Sequence, residues 1–267
     1  MSPLAMPPTT KAGSVQLRIA EPSDASKIFA LATRVFGDKQ FLYTVYQAPQ
    51  SLRYVERLIT ACDASHRFVM VKRGPRFVGY YEALVREDTC FLNYIATEPS
   101  VSGQGFGKLL LRDFEMMGSN SGCRQLALDV FQSNTRAVAW YRNSGFREES
   151  VTYLARIALQ GVPKDNGIGL IIDKEEIDRA LAEERDWGFS KAKWPCDGGW
   201  VCLGFIGGRH CKLLDLEGIT VAQAVNILAS SLSNQRNIVI VSSPEPIKTE
   251  RTIMSSEIVL RLVKPIA

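Results

Sequence analysis

Residues 91–117, FLNYIATEPSVSGQGFGKLLLRDFEMM, run from an apolar strand through a proline and a glycine-rich loop into an amphipathic helix. That order constrains the chain more than any other stretch. The first N–H groups of a helix have no intrahelical acceptors and the helix dipole favours negative charge there, so the corner is a pocket for a phosphate-bearing ligand. Gly103, Gly105 and Gly107 let amides approach an anion where a Cβ would stand in the way. Two phosphate loops are excluded by spacing. A GxxxxGK[ST] loop ending at Gly107-Lys108 needs glycine at Ser102 and a hydroxyl at Leu109, and a GxGxxG loop finds its third glycine replaced by Lys108 or Leu110. Taken alone, the loop also reads as a tight turn between strand and helix.

A second pattern follows. Residues 125–131 read as a strand with LALDV at its heart, and it leads into Ser133-Asn134-Thr135-Arg136-Ala137-Val138-Ala139-Trp140-Tyr141-Arg142-Asn143-Ser144-Gly145-Phe146. Asn134 suits an N-cap and Gly145 a helix stop. Asn134 and Tyr141 lie close to two turns apart, so they share a face with Ala137 between them. On its own Tyr141 could be an ordinary half-buried aromatic.

Together the two patterns resemble the GCN5-related N-acetyltransferases (GNAT) over residues 15–159. Ser102-Gly103-Gln104-Gly105-Phe106-Gly107 matches that family's coenzyme A loop, Gln/Arg-x-x-Gly-x-Gly/Ala, except that Ser102 replaces Gln/Arg; Thr97-Glu98-Pro99 and Asn134-x-x-Ala137-x-x-x-Tyr141 match its flanking signatures. The resemblance implies an α/β fold with a mixed, mostly antiparallel sheet flanked by helices. It implies acetyl-CoA as co-substrate, held by Ser102, Gly103, Gln104, Gly105, Phe106, Gly107 and Lys108, with Asn134, Ala137 and Tyr141 alongside. It further implies an N–H for the oxyanion near Ile95, Ala96 and Thr97, and Tyr141 as proton donor to the leaving sulfur. Side chains on a helix lean toward its N-terminus, which suits that role. For the base, Asp129 stands where the ribosomal-protein alanine N-acetyltransferases carry a glutamate, and Glu82 on an earlier strand is a second candidate. Glu98 at the loop mouth and a chain of waters remain open. The implied reaction is acetyl transfer to a primary amine of a small molecule or peptide; the alternative is a weak or inactive acyl-CoA-binding regulatory module.

The rest of the chain bounds this reading. A composition of 46% hydrophobic and 22% charged residues is that of an ordinary globular protein. The net charge of +4 is the sum of +5 over residues 1–160 and −1 over residues 161–267, so the positive excess sits where it would help capture polyanionic coenzyme A; it is too small for nucleic acid. Cys62, Cys90, Cys123, Cys196, Cys202 and Cys211 show no CxxC spacing, which suits buried thiols in a reducing compartment, and Cys196, Cys202, His210 and Cys211 match no common ligand pairing, so no metal is expected. No run reaches the roughly 18 apolar residues of a membrane span. A cytoplasmic location with no membrane partner is expected, and homodimerisation is left open.

Residues 1–14 read as a disordered tail, 15–160 as the acetyltransferase domain, and 161–267 as a smaller α/β lobe, auxiliary or a degenerate second copy of the same fold. Helices are expected over 51–62, 174–187 and 220–233, and a hairpin over 68–86. A linker is expected over 161–167, and further strands over 151–159, 200–206, 212–216, 237–241 and 257–263. Thr220 and Gln223 form a capping box in the pattern, and Glu217-Gly218-Ile219-Thr220 is too poor in glycine and basic residues to hold pyrophosphate. Phe41, Tyr43 and Tyr46 fall where acceptor choice would be written, or pack helix against sheet.

Overall fold

Apolar residues at alternate positions make strands and those at helical spacing make helices, and both periods alternate along this chain. The structure, a computed structural model, describes residues 13–61, 63–159, 174–196, 198–232, 236–249 and 251–266. The first half runs β1 (Val15–Ile19), α1 (Ala25–Val35), the single turn α2 (Asp38–Phe41), α3 (Ser51–Thr60), β2 (His66–Arg73), β3 (Arg76–Arg86), β4 (Thr89–Thr97), α4 (Phe106–Asn120), β5 (Gln125–Phe131), α5 (Thr135–Asn143) and β6 (Arg147–Ala158). The second half continues with α6 (Lys174–Trp187), β7 (Phe189–Cys196), β8 (Gly199–Ile206), β9 (His210–Glu217), α7 (Val221–Leu232), β10 (Ile238–Ser243) and β11 (Ile253–Pro265). Most expected elements are present with shifted ends. Strand β7 was not expected from the pattern, because Lys191, Lys193 and Pro195 break its apolar run; at the sheet edge those residues are tolerated. The linker at 161–167 and most of the N-terminal tail lie outside the described residues.

The eleven strands of the described residues form one sheet in the order β1-β2-β3-β4-β5-β11-β6-β10-β9-β8-β7. Among these described strands only β4–β5 and β9–β10 are parallel. The order reads the same from both ends once β6 and β11 are seen to change places. Strand β11, from the end of the chain, fills the gap between β5 and β6, while β6 fills the gap between β10 and β11. The sheet therefore continues from one half to the other without a seam, and each half lends the other a central strand.

The first half buries α4 and α5 on one face, against residues such as Leu92, Leu128 and Leu262, and α1 and α3 on the other, against Phe68, Met70 and Tyr80. The second half packs α6 and α7 over Val201, Phe205 and Val239. Helix α3 touches the second half as well: the Tyr54 ring sits 5.7 Å from Phe189, and the Arg57 guanidinium lies 5.0 Å over Trp187. Cys90, Cys123, Cys196 and Cys211 are buried free thiols, and Cys202 is partly exposed.

Candidate active site

The site begins where β4 and β5 part. They pair only from Thr89↔Gln125 to Leu92↔Leu128. At that point β4 bulges: Glu82 faces Tyr94 and Ala83 faces Leu92, leaving Asn93 as the extra residue. The Glu98 N–H bonds the Val78 carbonyl on β3 at 2.8 Å. Because main-chain groups alternate sides along a strand, the N–H groups of Ile95 and Thr97 point into the split, whereas that of Ala96 points to β3.

At the mouth of the split the glycine loop enters α4. Gly103 and Gly105 have φ of 78° and 88°, the left-handed region glycine occupies without strain, and an added Cβ at either would meet nothing within 4 Å. The backbone N–H groups of Gly103, Gly105, Phe106, Gly107 and Lys108 find no acceptor among the described residues. Five donors thus gather at a positive helix end, which can take an anion with two or more oxygens. Buried Phe106 anchors the loop. Arg136 on α5 donates to Ser102 Oγ at 2.9 Å, and Arg73 on β2 donates to Gln104 Oε1 at 3.1 Å, so two guanidiniums flank the loop. Helix α7, at the equivalent place in the second half, is different. Thr220 and Gln223 bond each other's backbone N–H at 2.8 and 3.2 Å, occupying donors that α4 leaves open.

Helix α5 packs beside the loop. The Asn134 side chain accepts from Ala137 N–H at 3.2 Å and caps the helix, and the Trp140 ring lies against Gly107, 3.6 Å from where a Cβ would stand. Tyr141 is buried, with its ring centroid 4.8 Å from Trp140 and 5.9 Å from Phe146. Its hydroxyl makes no hydrogen bond among the described residues, and burial pushes its pKa upward, so it stays a neutral donor at any working pH.

On the opposite face of the sheet, buried Glu82 accepts at Oε1 from Asn93 Nδ2 at 2.8 Å and lies 2.8 Å from His66 Nε2. Its other oxygen has no hydrogen-bond partner among the described residues. A cavity of about 240 Å³ borders Glu82, His66 and Asn93, and one of about 340 Å³ borders Asn93, Asp129 and Arg261; Tyr43, Phe91, Tyr94 and Lys212 line both. Tyr43 and Tyr46 thus border the expected acceptor side, while Phe41 packs against the α1–α3 core. Asp129 is held differently from Glu82: Arg261 of β11 grips both its oxygens, Nη2 to Oδ2 at 3.0 Å. Glu98 pairs with Arg34 at 2.8 Å.

The structure therefore gathers the loop residues, Asn134, Ala137 and Tyr141 on one face of the split and Glu82 and Asp129 on the other. Sequence reasoning passed over His66, Asn93, Arg136 and Lys212. Asn93, a lone amide inside the apolar run Phe91-Leu92-Asn93-Tyr94-Ile95, carried a readable signal; Lys212 carried none, because the cavity it borders is assembled only by folding. No cluster of potential metal ligands and no helix long and apolar enough to cross a membrane occurs among the described residues.

Comparison with known proteins agrees with this architecture. A tandem GNAT protein from the clavulanic acid biosynthesis pathway superposes with a TM-score of 0.68 over 95% of this chain and 99% of its own, at 11% identity. A GCN5-related N-acetyltransferase from Sphaerobacter thermophilus superposes with a TM-score of 0.65 over 94% and 96%, at 15% identity. At such identities the likeness is one of fold. In sequence, the spore coat polysaccharide biosynthesis protein SpsD of Bacillus subtilis (strain 168) is 24% identical over 160 residues, 58% of this chain and 55% of that relative, so the match spans about half of the relative's length. The Acetyltransferase (GNAT) family matches residues 35–146, which include the split, the amide loop and α5. Residues 35–146 thus carry a GNAT acetyltransferase domain, set in a sheet of two interlocked halves.

Proposed function

We propose that the protein transfers an acetyl group from acetyl-CoA to a primary amine by direct attack on the thioester. The observation that carries this reading is the cluster of five unbonded amides, Gly103 to Lys108, opening onto a split strand with a neutral tyrosine on one face and a carboxylate on the other. Loop amides, Arg136 and Arg73 would grip the diphosphate, and the pantetheine arm would run along the open edge of β4. The thioester oxygen would then meet the Ile95 N–H.

Glu82 is the better base. Its one tethered oxygen fixes the carboxyl while the other stays available; Asp129 has both oxygens committed to Arg261. Glu82 takes one proton from the acceptor ammonium, and the freed lone pair forms the new C–N bond. As the oxyanion collapses and the C–S bond breaks, the Tyr141 hydroxyl gives its proton to sulfur. The second nitrogen proton passes through solvent to restore Tyr141, and Glu82 releases its proton to solvent before the next turnover. The B. subtilis relative's name speaks of polysaccharide biosynthesis, so amino sugars belong among the acceptors tried.

The test is release of coenzyme A thiol across a panel of amines, read beside thermal stabilisation by acetyl-CoA. Tyr141→Phe and Glu82→Gln are each expected to lower turnover on the order of 100-fold while keeping the stabilisation. Stabilisation of the wild type without turnover on any amine would point to a binding module.

A further inference from the structure

The two halves can be aligned strand by strand through a feature they both keep. In the first half the bulge on β4 leaves Asn93 unpaired between Glu82↔Tyr94 and Ala83↔Leu92. In the second, a bulge on β9 leaves Leu214 unpaired between Cys202↔Asp215 and Leu203↔Leu213. Cys202 thus stands at the place of Glu82, Leu214 at that of Asn93 and Lys212 at that of Phe91. The second half has kept the bend and lost the base, and its helix α7 has lost the open amides. Phe91 and Lys212, the matched pair, both border both acceptor-side cavities, so these cavities straddle the axis relating the halves.

The charges around this space are unbalanced. Among the described residues, Glu82 and Asp129 are the only acids bordering it, and Asp129 is neutralised by Arg261. Arg86, Lys191 and Lys212 also border it. Lys212 is partly buried and makes no hydrogen bond or ion pair among the described residues, and burial, the largest influence on it, lowers its pKa. Asp129 favours its charge, but that carboxylate is already gripped by Arg261 and makes no hydrogen bond or ion pair with Lys212, so the cost of holding this ammonium away from water is offset only in part.

We propose that the acceptor carries an anionic group, carboxylate or phosphate, beside its amine, and that Lys212 binds it. The first half activates the amine and the second half, having surrendered its own chemistry, supplies recognition. This rests on the acetyl-transfer reading for the amine but not for the anion, and the experiment separates the two. Acceptors are compared in matched pairs: glucosamine with glucosamine 6-phosphate, and 3-aminopropanol with β-alanine. The wild type should favour the anionic member of at least one pair by tenfold or more in kcat/KM, and which pair responds identifies phosphate or carboxylate. Lys212→Met should reduce that preference to under threefold, chiefly through KM, and Lys212→Arg should restore most of it.

Calorimetric binding of the same four compounds to wild type and Lys212→Met, both first shown to melt alike, reads the anion site without turnover. A Lys212-dependent preference in binding without acetylation would uphold the anion site and sink the transfer reading. Equal treatment of charged and neutral members by the wild type, or an equal loss on both in Lys212→Met, would overturn the proposal.

Discussion

Removing everything after Leu159 takes β11 out of the middle of the first half. That strand pairs with β5 at seven positions and with β6 at ten. It buries Val259, Leu260 and Leu262, and at about 1.5–3 kcal/mol each their loss removes about 5–9 kcal/mol before the exposed faces of β5 and β6 are considered. A domain has only about 5–15 kcal/mol of net stability, so the 1–159 fragment should not fold as a monomer. Far-UV circular dichroism and a thermal melt provide the assay, with no cooperative transition expected and no stabilisation by acetyl-CoA. In the full chain, Leu262→Ala should cost about 2–5 kcal/mol and shift one shared transition, because both halves hang on the same strand. A monomeric 1–159 fragment that melts cooperatively and responds to acetyl-CoA would refute the argument and make residue 160 a true domain boundary.

Gly105→Ala should cost about 1–2 kcal/mol of stability from its φ of 88° and weaken acetyl-CoA binding by at least tenfold in calorimetry. Gly122→Ala, at φ 70° beyond the far end of α4 and equally free of neighbours, should cost the same stability and leave binding alone. Burial, reinforced by Arg156, holds His210 down to about 4 from its ordinary 6.5. A base so depressed contributes fully above pH 6.5, and its contribution drains as pH falls toward 4. The limit is about 3 kcal/mol, nearer 1 kcal/mol for a partly exposed ring, and denaturant titrations of wild type and His210→Gln across that window should converge by that amount.

The amide loop and α5 were legible because each is local. Gly103, Gly105 and Gly107 open their own amides, and Asn134 caps a helix whose Tyr141 follows two turns later, so spacing along the chain fixes what lies together. The capping box at Thr220 and Gln223 was legible for the same reason. Strand pairing is not local: β6 and β11 show apolar runs, but nothing in a run names its neighbour, and their exchange between halves depends on which edges remain open once the other strands have paired. The choice of proposed base followed the same division. Sequence offered both Asp129 and Glu82 as carboxylates; only folding carried Arg261 to the first, 132 residues away, and left the second bordering a cavity with one oxygen unbonded among the described residues. Lys212 had no meaning until the second half closed over that cavity, because an ammonium acquires a role only from the charges folding sets around it.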